Sequence, residues 1–305
     1  MTSHAPRLAY LAILAGVVAL GFSALFVRWA AAPGPVTGFY RMAIAGLVLA
    51  PFALRRPSNP IRGWPRNGIA LALLGGLFLS VDIALWNTAV GATSAANATL
   101  FANTAPLWVA LVAWLFFSES LRPLFWLGLA LTLAGSAAVA GADFLLHPRL
   151  GWGDVLALCA SLFYAGYYVC TQFGRRYLPS ATYVWLAGIT SATALLLFCL
   201  GLGLPLTGYP THTYLAFVGL ALVTQSFGYL AVGYALGHLP ASVVSPSMVG
   251  QPIVTALLAI PLLGEALTPV QWMGGAIVIA GILLVHVSRV PSQRVPPAPV
   301  PESAD

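Results

Sequence analysis

An acid and an arginine stand inside long apolar runs of this chain: Asp82 in SVDIALWN and Arg41 in GFYRMAIAG. A charged side chain at mid-membrane depth costs about 2.5–3.5 kcal/mol on insertion scales, so each must be paired, wet or in use. Three roles are open to Asp82: a structural partner of Arg41, which lies at similar depth, a site that carries a proton, or a receptor for a solute's ammonium. Trp86 follows it by four residues on the same helical face. Two prolines add further chemistry. Pro106 cannot donate to the carbonyl of Ala102, nor Pro252 to that of Met248, so each frees a polar oxygen within an apolar segment. Bent helices in matching positions point to the central site of a transporter. The alternative is a static kink, since proline is common in membrane helices.

Around these lie donors, acceptors and apolar rings of the kind a zwitterion needs. Asn97, Phe101, Thr104 and Trp108 fall at i, i+4, i+7 and i+11, one stripe that suits a partly wet cavity. Asn and Thr also glue membrane helices together, and that reading stays open beside the first. Tyr164 shares a face with Tyr168 and Thr171, an arrangement that packing alone also explains. Gln225 and Tyr229 sit a turn apart, and Ser245, Met248 and Gln251 precede Pro252. The candidate substrate site is therefore Trp86, Asn97, Phe101, Trp108, Tyr164, Gln225, Tyr229, Ser245, Met248 and Gln251. Pro106 and Pro252 are its conformational residues, and Arg41 with Asp82 its charge pair or coupling. Freed carbonyls could take an ammonium, and a free helical N–H a carboxylate.

The elements that position these residues are membrane helices. Of the residues, 60% are hydrophobic and 7% charged, which excludes an ordinary soluble core. A crossing helix needs about 20 mainly apolar residues. Ten segments qualify, near 8–29, 35–54, 67–90, 94–117, 122–142, 152–174, 180–203, 212–236, 242–263 and 268–288. All thirteen basic side chains are arginines. When the spans are threaded in order, Arg7, Arg55, Arg56, Arg62, Arg66, Arg122, Arg175, Arg176, Arg289 and Arg294 fall on one side, and Arg149 alone falls in a loop on the other. The positive-inside bias puts both termini in the cytoplasm. Charge so placed reports topology and implies no nucleic-acid partner. Cys159, Cys170 and Cys199 lie in apolar segments and imply no disulfide framework.

The segments are written twice. Pro106, Glu119, Trp126, Gly128 and Gly135 meet Pro252, Glu265, Trp272, Gly274 and Gly281 at one unbroken offset, 252 − 106 = 146. A fixed offset signals two copies of one unit. Residues 1–142 form the first five-helix repeat, 143–289 the second, and 290–305 a disordered proline-rich cytoplasmic tail. An odd number of spans per copy inverts the second relative to the first, and inverted repeats imply alternating access. The expected fold is thus an all-α membrane protein with ten transmembrane helices in two inverted five-helix repeats. The same offset aligns Asp82 with Gly228, so the embedded acid belongs to one half only.

The segments PLWVALVAWLFFSESL and PIVTALLAIPLLGEAL, each followed by W-x-G and an A-G pair, resemble the two EamA domains of the drug/metabolite transporter superfamily. The resemblance covers all ten spans, and Arg41 in GFYRMAIAG matches the arginine usual in the second helix of that family. It implies a multi-pass transporter of the cell inner membrane, and it leans toward exporters of aromatic amino acids. The second acidic turn departs from the first, GEAL against SESL, so the two halves need not act alike.

These observations favour a secondary transporter that exports amino acids, aromatic and other small neutral ones among them, and related small metabolites. Its partners are a small-molecule substrate and the lipid bilayer; a monomer is expected and no cofactor is implied. Broad efflux of lipophilic drugs by the same fold is the alternative. An enzyme acting on lipid-linked substrates would need clustered bases, nucleophiles or metal ligands, yet His4, His147, His212, His238 and His286 all lie at span ends or outside the spans. A channel would need charge rings or a selectivity filter, and neither is present.

Overall fold

The structure is a computed structural model that describes residues 4–54, 64–93, 95–140, 151–263 and 268–288. Glu265, the arginines Arg55, Arg56, Arg62, Arg149, Arg289 and Arg294, and the tail lie outside the described residues. Every regular element among the described residues is helical. The first helix, α1, is broken into His4–Gly21 and Ser23–Ala30. It is followed by α2 (Gly34–Leu54) and α3 (Arg66–Ala92). Next come α4, in two pieces (Ala95–Ala102 and Ala105–Phe117), and α5 (Pro123–Ala140). The second half begins with α6 (Trp152–Gly174) and α7 (Ser180–Gly201). Helix α8 joins Thr211–Gly219, a π-helical segment Leu220–Gly228 and Tyr229–Leu236. Helix α9 is again in two pieces, Ala241–Met248 and Gln251–Leu263, and α10 runs Pro269–Val287. Nine of these stretches are long and apolar enough to cross a membrane among the described residues, and the apolar helix Pro123–Val139 is shorter.

Outward faces are apolar, with Leu47 and Phe116 each 76% exposed, as a helix bundle in lipid requires. Small residues let the helices approach. A methyl group added at Gly128 would stand 2.8 Å from the Gly281 carbonyl oxygen, and one at Gly135 would stand 2.7 Å from that of Gly274. Close backbone approach of this kind drives association where lipid removes the hydrophobic incentive. Position 128 thus meets 281 while 135 meets 274, so α5 and α10 run antiparallel, and the four glycines of the repeat motif meet reciprocally.

The same reciprocity orders the other layers. Helix α3 runs antiparallel along α6, with Gly153 against Thr93, Gly166 against Phe78 and Gly68 against Leu178. Helix α8 runs antiparallel along α1, with Gly219 against Phe26, Gly228 against Leu20 and Gly16 against Val232. Ser118 ends α4 in the left-handed region at φ 51, and the Glu119 amide donates to the Ala113 carbonyl. A left-handed residue thus closes the helix without glycine. The Glu119 carboxylate then accepts a 2.7 Å bond from the Ser242 hydroxyl and fastens the acidic turn to the start of α9.

Candidate functional site

The breaks in α4 and α9 fall at equivalent places. Thr104 donates its amide to the Phe101 carbonyl (3.1 Å) and Leu107 to that of Thr104 (2.9 Å). One repeat later, Gly250 donates to Ser247 (3.1 Å) and Ile253 to Gly250 (3.1 Å). These are the same two tight turns at an offset of 146. Each lies just ahead of its proline, where the ring removes the four-back donor and the chain closes shorter bonds instead. Helix α1 also breaks, at Phe22, and the Thr255 hydroxyl of α9 donates to its Gly21 carbonyl (2.6 Å). Three broken helices therefore meet in one region.

Two adjoining cavities lie there. The larger, of about 90 Å³, is lined by Leu20, Ser23 and Ala24 of α1, Arg41 of α2, Asp82, Ile83 and Trp86 of α3 and Thr99, Ala102 and Asn103 of α4. Tyr164, Tyr229, Gln251, Pro252 and Thr255 complete it from α6, α8 and α9. It has room for several waters or a small solute. The smaller, of about 20 Å³, lies between the two matched breaks and includes Pro106, Tyr164, Tyr168, Ser245, Met248 and Gln251. No group of three or more metal-ligating His, Cys, Asp or Glu side chains occurs among the described residues.

Arg41 is 2% exposed and held from three directions. Its Nε donates to Gln225 Oε1 at 3.0 Å, its Nη1 donates to Ser23 Oγ at 3.3 Å, and its guanidinium carbon lies 5.3 Å from the centre of the Tyr229 ring. Its Nη2 is buried without a partner. Asp82, 8% exposed, lines the same cavity, yet no ion pair joins it to Arg41 among the described residues. The direct pair that the sequence allowed is not made; Gln225 and Ser23 hold the guanidinium instead.

Among the residues singled out from the sequence, Trp86, Tyr164, Tyr229, Gln251, Pro252, Arg41 and Asp82 are brought together around the larger cavity, and Pro106, Ser245 and Met248 around the smaller. Phe101 instead packs against a separate apolar cluster that includes Val27, Ala89 and Ala98. Trp108 donates its Nε1 to Ser161 Oγ at 2.9 Å, and Thr104 shares the same hydroxyl at 2.8 Å, so that part of the expected stripe joins α4 to α6. The side chain of Asn97 lies outside the described residues. Gln225 stands behind Arg41 and does not line the cavity. It reaches Arg41 from a π-helical segment, and Tyr229 meets the same guanidinium with its ring. Sequence reasoning missed Ser23, Thr99, Asn103 and Thr255. The signal was present for Thr99 and Asn103, which are four apart on a face adjacent to the stripe.

Stacked apolar helices around a cavity that holds a buried arginine and an acid are the architecture of a multi-pass membrane transporter. Residues 7–141 and 151–287 each match the EamA-like transporter family, and the chain belongs to it. An uncharacterized transporter of Methanothermobacter thermautotrophicus is 26% identical over 298 residues, covering 91% of this chain and 85% of that one. A protein of Streptantibioticus cattleyicolor described as a probable terminal-alkyne amino-acid exporter is 28% identical, covering 81% and 82%. The Escherichia coli K12 uncharacterized inner membrane transporter YedA is 27% identical, covering 82% and 80%. A crystal structure of another protein superposes on 92% of this chain and 96% of its own with a TM-score of 0.76 at 20% identity, a likeness of fold. The chain is a multi-pass protein of the inner membrane.

Proposed function

We propose that this transporter exports amino acids, aromatic and other small neutral ones among them, and related small metabolites. The observation that carries this is the larger cavity: a cation with an unpartnered Nη2, Arg41, and a carboxylate without an ion pair, Asp82, on walls that include Trp86, Tyr164 and Tyr229. A zwitterion finds a partner for each charge there and a ring surface for its side chain. The amino-acid exporter of Streptantibioticus cattleyicolor supports the same class. Alternating access follows from a ten-helix architecture of two inverted five-helix repeats with both termini in the cytoplasm. The reciprocal α5–α10 contact and the duplicated breaks in α4 and α9 support that architecture.

The test is counterflow in liposomes holding the purified protein, with a panel of radiolabelled amino acids, nucleosides and sugars. Neutral amino acids should exchange saturably and compete with one another, while nucleosides and sugars do not. Exchange of amino acids abolished equally well by unrelated lipophilic cations would favour broad efflux instead.

A further inference from the structure

Gln225 and Arg41 form a buried pair whose chemistry is unequal. Arginine only donates, so the amide must turn its oxygen toward Nε, and its own Nε2 is left buried without a partner. A glutamate at this place would leave no orphan N–H and would make a charge-assisted bond. It would also neutralise the guanidinium. The amide holds the cation in place and leaves its charge uncompensated. Ser23 takes Nη1 and the Tyr229 ring lies against the guanidinium, so the donor left over is Nη2, a buried atom of a residue that lines the cavity, free for a solute once the site opens to it. Gln225 reaches this position from a π-helical segment, Leu220–Gly228, a rare turn that recurs where a side chain must be re-aimed.

We propose that Gln225 is a positioning residue that sets the cavity's selectivity for anionic groups: its amide oxygen orients the Arg41 guanidinium without cancelling its charge, so Nη2 receives a solute carboxylate. It acts through Arg41 and touches no solute. The identity of that carboxylate as an amino acid's rests on the function proposed above.

Gln225→Glu tests this in proteoliposomes, with phenylalanine and its decarboxylated amine as paired solutes. The wild type should prefer the amino acid. In the variant, KM for the amino acid should rise about tenfold or more, the scale of one lost charge-assisted bond. Transport of the amine should be kept or raised, a change of preference that loss of packing alone would not produce. A folded Gln225→Glu protein with the wild-type preference overturns the role. Where that variant does not fold, Gln225→Met removes the acceptor at similar volume, and it should raise KM for the amino acid with little change in maximal rate. A wild-type KM there also overturns the role. Should the wild type carry no amino acid, the amino-acid reading falls, and the same variants are assayed on whichever carboxylate or phosphate solute is carried. If no anionic solute is carried, the role of Gln225 falls as well.

Discussion

Asp82 stands on the cavity wall with no ion pair to Arg41, so its neutralisation breaks no salt bridge. Asp82→Asn is therefore expected to fold, with a thermal midpoint in detergent close to that of the wild type. Its KM for a zwitterion should rise about tenfold, as when one hydrogen bond to a charged group is lost. A protein that collapses on this change would restore the structural pairing that the sequence had left open. A protein that folds with an unaltered KM at every pH would remove Asp82 from both binding and coupling. At this scale the sequence was legible where a residue's type alone restricts its place. An arginine and an acid inside apolar runs can only face one another, water or a solute, and both line the cavity. It was not legible where geometry depends on the turn between residues. The spacing sets Gln225 and Tyr229 on one face toward the cavity; in the structure Tyr229 lines it, while Gln225 meets Arg41 from a π-helical segment. Trp108 was read as facing the cavity, but α4 breaks at Asn103 and Thr104 and its second piece turns Trp108 onto Ser161.

Among the elements, the two broken helices are the proposed places of motion. Pro106 and Pro252 enforce the tight turns ahead of them, and Ala102 and Met248, whose carbonyls they free, line the smaller cavity. Pro106→Ala and Pro252→Ala give each helix back a four-residue donor, which straightens the break. Exchange in liposomes should slow several-fold in each while the protein stays monodisperse; unchanged rates in both would make the breaks static. The α5–α10 seam makes a different demand, for closeness rather than mobility. Gly281→Ala puts a methyl 2.7 Å from the Gly128 carbonyl oxygen and against Thr132 Oγ1. Backbone cannot yield as a flexible side chain can, so the substitution should destabilise by about 1–3 kcal/mol, seen as a lowered midpoint in thermal unfolding. The prolines made both breaks legible in the sequence. The reciprocal seam was not, because the repeat shows only that the glycines are equivalent. Which glycine touches which depends on how the halves dock.

For the whole molecule, topology is the property that the arginines predict and labelling can measure. With the native cysteines replaced, Gly151→Cys should react with an impermeant thiol reagent only from outside and Ser58→Cys only from inside. The reverse pattern would invert the molecule, and reaction of both from one side would remove the odd number of crossings on which the inverted repeat rests.

The glycine seam also bears on how such a chain could arise. A face on which position 128 meets the counterpart of 135, and 135 that of 128, is complementary to an upside-down copy of itself. A half-length chain inserted in both orientations would cover that face with a copy of itself. Residues 1–142 and 143–305 made as separate chains carry the two sides of that seam, and co-expression should reunite them in the membrane without a linker.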